Sequence, residues 1–144
     1  MKENGYLLMK KRHSNGFNNF PCFFAFNDKQ FNEGMVKIGL DPKDSKMVYK
    51  NSTGMIYRKT ESKNLKNLFE RHEKEMNCAI KKDKTGHDFI FDMFSYELSN
   101  HEYCITCDES DTLDSLGLSY CDILASDALI NGLKLAKVEA MQDY

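Results

Sequence analysis

The stretch FNNFPCFFAFNDKQFNEGMVKIGLDP, residues 17 to 42, admits few local structures. Six of the ten phenylalanines fall between 17 and 31, and CFFAF reads as a buried strand with aromatics on both faces. Asn27 followed by Gln30 is an N-cap signature; Phe31, Met35 and Ile38 recur at helical spacing, and Gly39 with Pro42 supplies a stop. The stretch therefore predicts a strand running into a helix.

Around that unit the rest of the chain falls into place. KMVYKNSTGMIYRK has two β-rich runs about Asn51-Ser52-Thr53-Gly54, which predicts a hairpin near 46–59. After Thr60 or Ser62 as cap, Leu65, Leu68, Phe69, His72, Met76, Ala79 and Ile80 form one stripe of a long helix, with His72 as a core histidine. DKTGHD interrupts it, and a further, largely buried helix is expected from about Thr85 through Leu98. Thr106 with Glu109 predicts a capping box, Gly117 a stop, Ser119 a new turn and Ser126 the cap of a final helix to about 142. The first 16 residues read as an initial strand or short helix followed by a loop, with a flexible segment as the alternative. The expected fold class is α+β: a small antiparallel or mixed sheet (strand near 21–26, hairpin near 46–59) with one helix between, then a C-terminal helical part. At 144 residues, with 41 % hydrophobic and 29 % charged, one domain spanning 1–144 is expected. No run is apolar enough to span a bilayer and MKENGYLLMKKRHSNG lacks the core of a secretory signal, so a cytoplasmic protein with no membrane partner is predicted. Five cysteines at irregular spacing then read as reduced thiols.

Charge is divided unevenly. Residues 1–82 hold 17 Lys and Arg against 9 Asp and Glu, whereas residues 83–144 hold 3 against 13. Between 102 and 127 there are seven acids and no Lys or Arg. Such a field steers association and rejects wrong partners, so Glu102, Asp108, Glu109, Asp111 and Asp114 are the candidate partner-binding residues. Carboxylates in a helix's first turn also complement its dipole, which is the plainer role for the same residues. The same charge rules out a helix-turn-helix reader in the second half.

Other chemistries are weaker. His101, Cys104 and Cys107 have metal-ligand spacing, but the remaining cysteines and histidines are scattered, and structural zinc wants a second close pair. The acids after Cys107 would raise a thiol pKa, against a redox role. A metal-dependent phosphodiesterase or nuclease built from Glu97, His101, Asp108 and Asp111 is an alternative, with two carboxylates holding a divalent cation against a phosphate. A small-molecule binder, taking for instance a nucleotide signal in the basic and aromatic first half, is another. Lys10, Lys11 and Arg12 beside Tyr6, Phe17 and Phe20, with Lys59, Lys63 and Lys66 further along, would serve a nucleic-acid reading, which the acidic total disfavours. Neither a Walker loop, GxGxxG nor GxSxG occurs, so no metal, cofactor or catalytic residue is assigned.

FNNFPCFFAFNDKQFNEG, FERHEKEM and ELSNHEYCITCDESDTLDSLGL together resemble a family of small proteins of unassigned function found in phages and mobile elements. The shared pattern runs from an aromatic strand through Gln30-Phe31 and Glu33-Gly34 to Asn100-His101-Glu102-Tyr103, Thr106, Asp108 and Asp111-Thr112-Leu113, while Cys104 and Cys107 stand outside it. The resemblance implies an accessory protein that acts by binding a host protein complex. The expected function is inhibition of a host defence or nucleic-acid-processing complex, in the manner of an anti-CRISPR protein, with oligomeric state left open.

Overall fold

The computed structural model describes residues 3–142. The fold is α+β, in the order α1 (Gly5–Asn18), β1 (Cys22–Phe23), α2 (Asp28–Lys37), β2 (Val48–Lys50), β3 (Ile56–Arg58), α3 (Ser62–Lys82), α4 (Phe89–Asn100), α5 (Tyr103–Thr106), α6 (Ser110–Leu116), α7 (Tyr120–Leu124) and α8 (Asp127–Gln142). Its contacts separate into two compact units: His13–Glu73, and the residues up to Arg12 together with those from Lys74 onward. The divisions fall inside α1 and α3, so each helix contributes to both.

The unit from 13 to 73 carries a three-stranded antiparallel sheet in the order β1-β3-β2. Asn27 caps α2 as expected: its side-chain oxygen accepts from the Gln30 N–H at 2.8 Å, and the Gln30 side chain accepts from the Phe26 N–H at 2.7 Å. The hairpin loop closes on Asn51, whose side-chain oxygen accepts from the N–H groups of Thr53 and Met55 at 3.0 Å each. Phe23 and Ile56 on one sheet face pack with Met35 and Ile38 as the core of this unit. The close approach requires Gly34, since a Cβ there would overlap the Phe23 ring.

Two expectations are corrected here. The strand near 21–26 is only Cys22–Phe23, and Phe24 and Phe26 beyond it are exposed, Phe26 to 91 %. Hydrophobicity marks what can be buried, not what finds a partner. Residues 5–16, expected as an initial strand or short helix followed by a loop, or as a flexible segment, form most of α1: the helix alternative holds and continues through the expected loop, with Tyr6 and Met9 buried; residues 1 and 2 lie outside the described part. Its SNG is a helical turn.

The second unit is built on α4. Ile90, Met93, Phe94 and Leu98 are fully buried, and they pack with Tyr6, Leu113, Ile123, Leu129, Leu133 and Ala136. Each such large side chain contributes about 1.5–3 kcal/mol relative to an exposed position. The expected start at Thr85 is wrong by four residues, because residues 83–88 wrap the Asp83 carboxylate instead. The expected capping box of Thr106 and Glu109 is also absent: α5 ends at Thr106, and α6 begins at Ser110 with no side-chain cap from Glu109. Asp108 spans the gap by accepting from the Ser110 N–H at 2.8 Å. Ser119 with Asp122 does make a capping box, and Ser126 caps α8. No helix among the described residues is long and apolar enough to cross a membrane.

Candidate functional site

Glu97 sits on the buried side of α4, between the core residues Phe94 and Leu98, with its side chain 4 % exposed. An ionised carboxylate persists there only if its oxygens are satisfied. Tyr6 and Lys10, four residues apart on α1, donate to the same oxygen at 3.0 Å each. The Ser115 hydroxyl lies 3.2 Å from the other oxygen and 2.7 Å from the Thr112 carbonyl, so one proton serves two acceptors. His101 Nε2 stands 3.5 Å from that second oxygen, buried and without a hydrogen bond among the described residues. Lys10 Nζ also lies over the Tyr96 ring, 5.0 Å from its centroid.

Burial pushes the Glu97 carboxyl up, but the bond and charge of Lys10, with Tyr6 and Ser115, outweigh it and hold it below the ordinary carboxylate range. Burial, then the charge and hydrogen bond of Glu97, push the Tyr6 phenol well above its own range. Both groups are thereby kept in their neutral-pH forms, Glu97 ionised and Tyr6 protonated. This is the chemistry of an anchor, closed on itself. We expect Glu97→Ala to lower stability by about 2–3 kcal/mol in urea denaturation, the usual cost of breaking a buried pair discounted because Lys10 is nearly half exposed. Lys10→Met should cost less than Glu97→Ala.

The other metal-site candidates do not gather around it. Among the described residues no three His, Cys, Asp or Glu side chains come together as a metal site. Glu97, His101, Asp108 and Asp111 therefore do not assemble the divalent-cation centre of the phosphodiesterase alternative. Cys104 is partly buried and Cys107 is exposed in a left-handed conformation at the end of α5. His72 is partly buried, stacked on His13 at 3.9 Å between centroids with Phe17 edge-on at 5.2 Å. Of the basic cluster near the start of the chain, Lys10 is held by Glu97 and Arg12 pairs with Glu75, which leaves Lys11 exposed.

The acidic segment is placed differently from the Glu97 anchor. Glu102, Asp108, Asp111 and Asp114 are exposed, on the short helices α5 and α6 or beside them. Glu109 is not: its carboxylate takes a 2.8 Å bond from Lys137, which lowers its pKa against the opposing effect of burial. Among these acids Ile105, Tyr120 and Leu124 are 65 %, 54 % and 74 % exposed, while Thr112, Leu113 and Ile123 face inward. Tyr120 and Leu124 share one side of α7 at i, i+4. The acids stand out in the sequence; the exposure of these apolar residues does not. The available signal was that α7 holds more apolar side chains than one buried face of a five-residue helix can cover.

A family model matches residues 5–139, which takes in α1, the sheet, the Glu97 anchor and the whole acidic segment. The chain belongs to DUF7659, a family of unknown function. No curated protein and no solved structure matches it. The DUF7659 match carries no activity with it.

Proposed function

We propose that this protein acts by binding, as a phage or mobile-element accessory protein whose segment from Glu102 to Asp127 docks on a basic protein surface of a host defence or nucleic-acid-processing complex. The observation that carries this reading is the pairing, in one segment with no Lys or Arg, of exposed carboxylates with exposed Ile105, Tyr120 and Leu124. Protein interfaces combine apolar and aromatic anchors with a polar rim, and charge complementarity sets encounter rate and partner choice. A surface of exposed carboxylates in a segment with no Lys or Arg is suited to a basic channel that normally holds nucleic acid. The host context is itself part of the proposal, resting on the resemblance expected from the sequence motifs, since the family description names no activity.

The test is a tagged full-length chain used to capture partners from nuclease-treated extracts of cells carrying candidate defence systems. The expected result is a stoichiometric protein partner that heparin, a soluble polyanion, displaces. Capture lost on nuclease treatment, or unaffected by heparin, contradicts the proposal.

A further inference from the structure

The proposed binding segment lies outside the unit from 13 to 73, and that unit has a chemical character of its own. The strand register pairs Cys22 with Tyr57 and Tyr49 with Tyr57, so these three side chains share the sheet face opposite the Phe23 and Ile56 core. Three rings follow one another on this side. Phe20 and Tyr57 have centroids 6.1 Å apart, and Tyr57 and Tyr49 have centroids 6.2 Å apart, each pair steeply inclined. Tyr49 is 48 % exposed on edge strand β2, and Tyr57 and Phe20 are partly exposed. Lys59 holds its ammonium 4.9 Å from the Tyr49 centroid.

Beyond Phe20 the row ends at an open hollow of about 340 Å³, lined among others by Asn19, Asn64, Asn67 and Arg71. Amides and a guanidinium offer the donors and acceptors that base edges and phosphates use. The hollow also contains Glu61, whose carboxylate is engaged by Arg58 at 3.3 Å and Asn64 at 2.8 Å. The stretch of sequence that carries Tyr49, Tyr57, Lys59 and Arg71 has the matching sign: residues 43–71 include eight Lys and Arg against three Asp and Glu, with Arg58 and Lys66 paired to Glu61 and Glu70.

We infer that this face of the sheet binds a short single-stranded nucleic acid, its bases stacking on Tyr49, Tyr57 and Phe20 and its phosphates meeting Lys59 and Arg71. Aromatic rings on a sheet beside basic side chains suit unpaired bases, because stacking tolerates every base while the cations follow the backbone. A duplex keeps its bases stacked on each other and offers these rings nothing. The site is independent of the acidic segment: a chain that binds oligonucleotide and no protein partner has this activity without the other.

The experiment is fluorescence anisotropy of the full chain with labelled oligo-dT and oligo-rU of about 12 nucleotides, a length within the range single-strand sites span, and with a duplex of equal length. Single strands should bind, more weakly as salt rises. Tyr49→Ala should weaken binding by about ten-fold or more, Tyr49→Phe should retain it, and Lys59→Gln should weaken it and flatten the salt dependence. Tyr49 is half exposed at a sheet edge, so circular dichroism should show all three variants folded. The DNA and RNA arms tell which sugar the face accepts. No binding by the wild-type chain at low salt, equal binding by Tyr49→Ala, equal binding of duplex, or a protein partner that Tyr49→Ala alone releases would each overturn the inference.

Discussion

Gly86→Ala should destabilise the protein by more than about 4 kcal/mol, enough to remove most of a small domain's margin. Gly86 has φ +85°, where a Cβ is strained, and the added carbon would fall on the Ala128 carbonyl oxygen and 2.8 Å from the Gly132 nitrogen. These are backbone atoms of α8, so no side-chain rotation relieves the overlap; the 83–88 turn or α8 has to move. Gly39 is the matched control. Its φ is nearly the same, +83°, with nothing within 4 Å of the added Cβ, so Gly39→Ala should cost only the conformational term, about 1–2 kcal/mol. Thermal unfolding of the two variants separates strain from collision. Equal losses would mean that the contact between Gly86 and α8 carries no weight.

The second large effect belongs to Asp83, a buried carboxylate 7 % exposed. One oxygen accepts from the Gly86 N–H at 2.8 Å, the other from the N–H groups of Asp88 and Ile90 at 3.0 Å each, with the Thr85 hydroxyl adding a longer bond. Asp83→Ala leaves these backbone donors without their acceptor at the entrance to α4, a loss of about 3–4 kcal/mol where each orphaned buried donor costs about 1–3. Burial raises the Asp83 pKa, but the bonds from Ile90, Gly86, Asp88 and Thr85 prevail and hold it below its ordinary 3.8. A carboxyl depressed on folding stabilises fully above its unfolded pKa and loses that stabilisation as pH falls through the folded value. The difference in stability between wild type and Asp83→Ala should therefore be constant from neutral pH to about 5 and shrink below about 4. Urea denaturation across that range measures it. A difference that grew on acidification would contradict the ionised anchor.

Elements whose signals are local were legible from residue order. The α2 cap rests on Asn27 and Gln30, the hairpin on Asn51 and Gly54, and α3 on a stripe that starts at Leu65. Features that depend on distant partners were not. Helix α1 carries glycine at both ends of a polar sequence, and its burial rests on Tyr6 and Met9, with Tyr6 bonded 91 residues away to Glu97. For the same reason Glu97 read as a metal ligand, since Lys10 lies 87 residues off and no spacing announces it. The start of α4 was misplaced because Thr85 does accept from the His87 N–H as a cap would, while the Asp88 and Ile90 N–H groups at the helix entrance go to Asp83. The acids were visible at once; that Glu109 turns inward to Lys137 and that Ile105, Tyr120 and Leu124 stay outside depended on the packing.

The central claim is that exposed carboxylates between Glu102 and Asp127 mediate partner binding. It is tested most directly by the affinity of wild type and of the triple variant Asp108→Asn, Asp111→Asn, Asp114→Asn for the captured partner, across a salt series. These three side chains are exposed, and asparagine keeps the oxygen by which Asp108 accepts from the Ser110 N–H, so the triple variant should keep its fold, with circular dichroism and its unfolding midpoint as the check. The account predicts at least about ten-fold weaker binding at low salt, with the two affinities converging as salt screens the field. A folded triple variant that binds as tightly as wild type at every salt concentration would contradict it.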